Sequence, residues 1–502
     1  GLSPHAISKW FNAVSVKIKT DKLEEIKKLP FVDKIEGVHF LEKIGTRGNY
    51  TSTFDDYVIS ISGNKYNYGP TYWQNQQINV PKLHNYGITG YGSRVGMCDD
   101  GFNWRNHEAL NTRRVLGEFD WIFKDDSTLF QREPNQIPGD AFDQDGHGTA
   151  TLSTLGGFKE GKLIGPGFDS EFYLSKTEDG RSETPVEEDF WLTALEWMEG
   201  RGVDVISSSL IYKPFDPPNV SYDYKDMNGR TTVIVRAAET AAYFGVVVCN
   251  SMGNESQTNP PSIVSPPDGD SVFAIGAVDS TGKIAYFSSN GPTSDGRMKP
   301  DLVAMGVDVI TAVSKSTSGN DKTYGPTGGT SFSCPLTAGV CSLILSAHPE
   351  LTPMQVMEAL KKTSDKKDSP NNVYGWGLVN AYEAALYWGM IISNRPDIIT
   401  SDNHISISTY VISKNNIDEN NVMLYYAKSS EDKFIAVKME LAEKIDGTNS
   451  GKYTINLPFS INTDNIKFYI SASDSQSSRM QPYNAPIKFF FINQDTKTAE
   501  IY

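Results

Sequence analysis

From about residue 68 to residue 390 the chain alternates between short apolar runs and longer stretches of helical period. SRVGMCD, FYLSKT, VDVISSSL, GVVVCNSM and VFAIGAV read as strands. EEDFWLTALEWMEGRG, TVIVRAAETAAYFG, SFSCPLTAGVCSLILSAHP and TPMQVMEALKKTSD read as helices. Apolar strands that alternate with helices predict a mostly parallel sheet covered on both faces, an α/β fold. After about residue 393 the character changes. ISISTYVI, NVMLYYAK, FIAVKMEL, KYTINLPF, IKFYISAS and PIKFFFI are short strand-like runs separated by Asn, Asp, Gly and Ser. They predict an antiparallel all-β sandwich over residues 393–502.

The N-terminal end is different again. In residues 1–45, FNAVSVKI and VDKIEGVHF read as strands around a short helix, DKLEEIKKL, that Pro30 ends. Residues 46–67 are rich in Gly, Asn, Thr and Ser and read as a linker. A length of 502 residues fits about three units at roughly 150 residues each. The peptide body is then 68–392.

Composition excludes some partners. The formal net charge of −15 argues against nucleic acid and anionic membrane surfaces. No apolar run approaches the roughly 18 residues a membrane span needs. The four cysteines show no metal-binding spacing. Cys98 and Cys249 lie in strand-like runs, and Cys334 and Cys341 share one face of a helix, so they read as buried free thiols.

Four short motifs carry chemistry. VGMCDDGFN (95–103) ends an apolar strand in Asp99; DQDGHGTAT (143–151) sets His147 between glycines before a helix. VVVCNSMGNES (246–256) ends a strand at Gly253-Asn254, and GGTSFSCP (328–335) opens a helix at Ser331. Taken singly, each has an ordinary explanation: a strand-end cap, a structural histidine, a turn, a helix N-cap. Together they put a carboxylate, an imidazole, an amide and a hydroxyl at element ends on one α/β core. Sites in open parallel sheets gather at the strands' carboxyl ends.

These four motifs resemble the signatures of the subtilisin-like serine peptidases, the subtilases, and the order Asp, His, Ser is that family's order. YWQNQQINVPKLHNYGITGYGSRV, FSSNGPTSDGRMKPDLVAMG and YGWGLVNAYEAA are similar to the family's flanking segments. The resemblance implies a three-layer subtilisin-like fold and a serine endopeptidase acting on proteins or peptides, secreted or held at the cell surface. It implies Ser331 as nucleophile, His147 as general base, Asp99 as the group that orients the imidazole, and Asn254 as oxyanion donor. Ser209, Leu210 and Ile211 on one side, and Ser251, Met252 and Gly253 on the other, would bind substrate backbone by strand pairing. Ile211 stands where glycine is common and would narrow the pocket for the residue before the cut. Pro335 would fit the first turn of its helix.

The resemblance also implies that no cofactor is required for the chemistry, with structural calcium left open although the loop GGFKEGKLIGPG is short for the usual site. The N-terminal fragment resembles the second half of a subtilase prosegment, the chain's own cleft ligand. Its first strand and helix would be missing, so the chain reads as a partly trimmed precursor cut again between about residues 44 and 68. Asp100, adjacent to Asp99, leaves two carboxylates competing for one role. Glu178, Asp179 and Glu183 form either a solvated acidic loop or a preference for basic substrate residues. Two other readings remain: a silent adhesion protein that acts through its β-unit, and a dedicated processor of one partner.

Overall fold

The computed structural model describes residues 4–38, 63–130, 144–180, 183–315, 319–400, 404–458, 466–493 and 498–501. At its centre are seven strands: β1 (Arg94–Asp99), β2 (Arg114–Asp120), β3 (Glu171–Lys176), β4 (Val205–Ser208), β5 (Val247–Ser251), β6 (Val272–Val278) and β7 (Leu302–Met305). They lie in the order β7-β6-β5-β4-β1-β3-β2, and every neighbouring pair is parallel. The chain leaves β1 toward one edge and returns to its other side at β4. That reversal opens a crevice at the carboxyl end of β1, where Asp99 sits.

Helices cover both faces. One layer packs α1 (Gly146–Gly156), α4 (Thr330–Ala347) and α5 (Pro353–Thr363) on Val95, Met97, Phe172, Val247 and Phe273. The opposite layer packs α2 (Val186–Glu199) and α3 (Val233–Tyr243) through Trp191, Leu195, Ile234 and Ala238. Every residue of α4 is buried. It is the one described helix long and apolar enough to cross a membrane, but its whole length lies inside the core.

Pro335 is not in the first turn of α4, as the sequence suggested; it is the sixth residue of the helix. Lacking an N–H, it leaves the carbonyl of Ser331 without its helical partner. The hydroxyl of Ser209 takes that place at 2.8 Å.

Among the described residues the second unit has eleven strands, from Ile391–Ile392 to Thr498–Ile501, all paired antiparallel. They are hydrogen-bonded into one continuous sheet around Ile405, Ile407, Leu424, Phe468, Ile470 and Phe490. Its attachment to the α/β body is packed and polar. Ile391 joins the core of the body and Ile392 that of the sheet. The Arg479 guanidinium donates to the Ala347 carbonyl and, at 2.8 Å, to Glu350.

Burial opposes ionisation of Glu350, yet hydrogen bonds from His348 and Arg479 hold its carboxyl down at about 2. A depressed acid contributes stability that is present above its ordinary value near 4.5 and lost as pH falls through about 2. Glu350→Gln is therefore expected to destabilise the protein by about 1–2 kcal/mol at pH 6, after allowance for solvent screening. In melts taken from pH 6 downward, the two curves should converge near pH 2.

At the N-terminal end, Pro4–Ser8 and Ala13–Val16 form an antiparallel hairpin. It docks on α2 and α3. Glu196 of α2 accepts from the Ser8 hydroxyl and from the N–H groups of Lys9 (2.8 Å) and Trp10 (3.2 Å). Arg236 stacks on Phe11 at 4.5 Å, and the Trp10 ring lies 5.6 Å from Phe244. The expected second strand is not seen at 32–38, where the residues are mostly exposed and no packing supports pairing. Residues 39–62, with most of the linker and the expected cleavage region, lie outside the described residues.

Candidate active site

Asp99 is buried at the end of β1, and its carboxylate is used at both oxygens. Oδ1 is 2.6 Å from Nδ1 of His147, and Oδ2 accepts from the Thr151 hydroxyl at 2.9 Å. The second bond fixes the carboxylate plane, and so the direction of the first. His147 stands near the start of α1 with its side chain 31% exposed. Gly148 must be glycine here: a Cβ would lie 2.1 Å from the Gly101 carbonyl oxygen and 2.9 Å from Cβ of Asp99.

Asp100 has a different task. Its two oxygens accept from the N–H groups of His147 (3.2 Å) and Gly148 (2.7 Å), the unpaired donors at the start of α1. Burial first, and then the Asp99 charge, push its carboxyl well above the usual range. One of the adjacent acids meets the imidazole and the other caps the helix that carries it.

Ser331 is the second residue of α4, after Gly329, whose φ of +145° suits glycine. The His147 ring lies 5.9 Å from that of Phe332, so the imidazole is beside the residue that follows Ser331. Asn254 follows β5. Its Oδ1 accepts from Thr330 twice, from N–H at 2.9 Å and from the hydroxyl at 3.0 Å. With the oxygen held there, the Nδ2 donors point away from Thr330. The Thr330 hydroxyl also accepts from the Gly253 N–H at 3.2 Å, tying the β5 end to the start of α4.

The proposed substrate segments flank Ser331. Ser209 reaches it directly, through its carbonyl. The Leu210 carbonyl accepts from Asn250 at 2.8 Å, and Ile211 is half-buried. Ser251 ends β5. The Met252 side chain is wholly buried with Met227, Ile263 and Ala274, so only its backbone is near the cleft. Gly253 has φ +99°. The acidic loop is more ordered than a solvated one. Tyr212 donates to Glu178, whose carboxyl is raised by burial and then by Glu183, and Glu187 accepts from the N–H groups of Asp179 and Thr184. Oxygens of Glu178, Glu183 and Glu187 lie within 4.8 Å of one another. All four cysteines are free and buried.

The sequence reading missed the supporting hydroxyls, Thr151 and Thr330. Each sits in a quoted motif, in HGTAT and GGTS, but nothing local says which partner it will reach.

A doubly wound sheet with an Asp–His pair at its switch point and a serine near the start of a buried helix is an arrangement that suits a serine hydrolase. The chain belongs to the subtilase family, whose model matches residues 90–377, and it is a subtilisin-like serine peptidase. Residues 1–52 match the Peptidase S8 propeptide domain, Bacteroidota. Among curated relatives, the serine protease AprX of Bacillus subtilis (strain 168) is 31% identical over 323 residues, 59% of this chain and 66% of AprX. Subtilisin E of the same strain is 28% identical over 382 residues, 75% of this chain and 81% of that protein. The fold is shared with the MycP3 protease from the type VII (ESX-3) secretion system, with TM-score 0.50 and 21% identity over 64% of this chain and 91% of that one.

Proposed function

We propose that the chain is a serine endopeptidase made as a precursor, with Ser331 as nucleophile. The observation that carries this is the Asp99–His147 pair at 2.6 Å, beside a helix whose first residue holds the Asn254 amide in place. Ser331 Oγ attacks the peptide carbonyl and its proton passes to Nε2 of His147. Asp99 keeps the other ring nitrogen protonated and stabilises the imidazolium. The oxyanion receives Nδ2 of Asn254 and the N–H of Ser331. His147 then gives its proton to the leaving amine, and water hydrolyses the acyl-enzyme by the same steps in reverse roles.

Residues 1–45 act as the prosegment, docked through Glu196; 46–67 carry the maturation cut; 68–392 are the peptidase; 393–502 are an appended β-domain. Secretion or surface display suits such a precursor. Its partners are protein or peptide substrates and its own prosegment.

The test is labelling with a serine-directed fluorophosphonate. Wild-type protein should take one label on Ser331 and Ser331→Ala none; an unlabelled wild type, matured or not, would leave the adhesion reading in its place. Asn254→Ala should keep the label but lower kcat by about 10²–10³-fold, a figure that comes from a subtilisin. Steady-state kinetics on a chromogenic peptide check it.

A further inference from the structure

Ile211 is a large, half-exposed side chain two residues after Ser209, which hydrogen-bonds to the Ser331 carbonyl. Its direction follows from its neighbours. Ser209 turns its hydroxyl to the Ser331 carbonyl. Leu210 and Tyr212 are buried on the opposite side, in the cluster with Trp191, Leu195 and Ala238. Side chains alternate along an extended segment, and this one runs from the end of β4 to the bridge of Tyr212 with Ser265. Ile211 therefore shares the side of Ser209, which is turned toward the backbone of Ser331.

The neighbouring segment follows β5, which pairs in parallel with β4. In it, Met252 turns into the core and Gly253 has no side chain, so this stretch is flat backbone. Against Gly253 lie Ser289 and Val264, the latter fully buried, with Oγ and Cγ2 at 3.0 and 3.1 Å from where a Cβ on Gly253 would stand. The segment of Val264 is tied to that of Ile211 by the Tyr212 N–H donating to the Ser265 carbonyl at 2.9 Å. Ile211 and Val264 are both β-branched, with few rotamers by which to withdraw.

We propose that Ile211, with Val264, restricts the residue on the acyl side of the cut to small side chains: glycine, alanine or serine. The substrate class is then a peptide cut after a small residue. A larger side chain has to displace Ile211 or stay in solvent. This rests on the endopeptidase reading above.

The test uses tetrapeptide p-nitroanilides that differ only in the residue before the cut, Ala, Leu or Phe, with active sites counted by fluorophosphonate. Wild-type protein should show kcat/KM for Ala above that for Phe by about tenfold or more. Ile211→Gly should shift the Phe-to-Ala ratio toward Phe by about tenfold or more, and Ile211→Ala by less in the same direction. Labelled, active wild type that turns over Phe as well as Ala would overturn the proposal alone. So would a ratio unmoved in both variants. Protein that takes no label would overturn the peptidase reading and this proposal with it.

Discussion

Ser331→Ala and His147→Ala are each expected to lower kcat by about 10⁶-fold, and the double variant no further; the figure is taken from a subtilisin, a relative of this chain. The reason is the division of labour. A serine hydroxyl is a weak nucleophile at neutral pH, and without the imidazole its proton has nowhere to go as the C–O bond forms. Without the hydroxyl, the imidazole has no group to activate. In the proposed mechanism the two act as one unit, so their losses are expected not to add. Residual turnover of about 10³–10⁴ over water should remain, from Asn254 and binding of the substrate. Single-turnover kinetics on a p-nitroanilide, with melting curves as a control for folding, measure this. Additive losses would mean that His147 and Ser331 do not work on the same proton.

The second expectation separates the adjacent acids. Asp99→Asn should lower kcat by about 10⁴-fold, because an amide facing Nδ1 favours the wrong imidazole tautomer. Asp100→Asn should leave kcat within about tenfold, because its target is the backbone of His147 and Gly148 rather than the ring. Burial and the Asp99 charge already push Asp100 toward its neutral form, which asparagine mimics. The cost should fall on stability, at about 1 kcal/mol, because the amide offers one acceptor oxygen where the N–H groups of His147 and Gly148 use two. Since the folded carboxyl is raised, wild type loses stability as pH rises through its titration, and the Asn variant lacks that dependence. Equal losses of kcat in the two variants would contradict the assignment.

Much of this architecture is legible in the chain. Buried parallel strands such as Val247–Ser251 and Val272–Val278 are apolar on both faces, so they stand out. The edge strand Arg114–Asp120 does not, because Arg114 and Leu116 are exposed on it while Glu118 and Asp120 are buried carboxylates. Leu302–Met305 is only four residues long and gives no periodic signal. The motifs expose Asp99, His147, Asn254 and Ser331 because glycines and strand ends surround them. The sequence could not say that Asp100 caps α1, or that Ser209 replaces the bond that Pro335 removes. Both depend on contacts between residues 47 to 122 positions apart. The same limit applies to the β-domain. Its strands are readable one by one, but the pairing of Asp397 with Thr498, which joins the two ends of the unit, is not local.

The burial of α4 has a consequence for the chain before it folds. A helix enclosed along its whole length holds its position only while the strands on one side and the helices packed beside it are in place. The place proposed for the nucleophile, at the second residue of this helix, therefore exists only in the folded body. A nascent chain, with its loops still open to attack, carries no functioning blade with which to cut itself or its siblings.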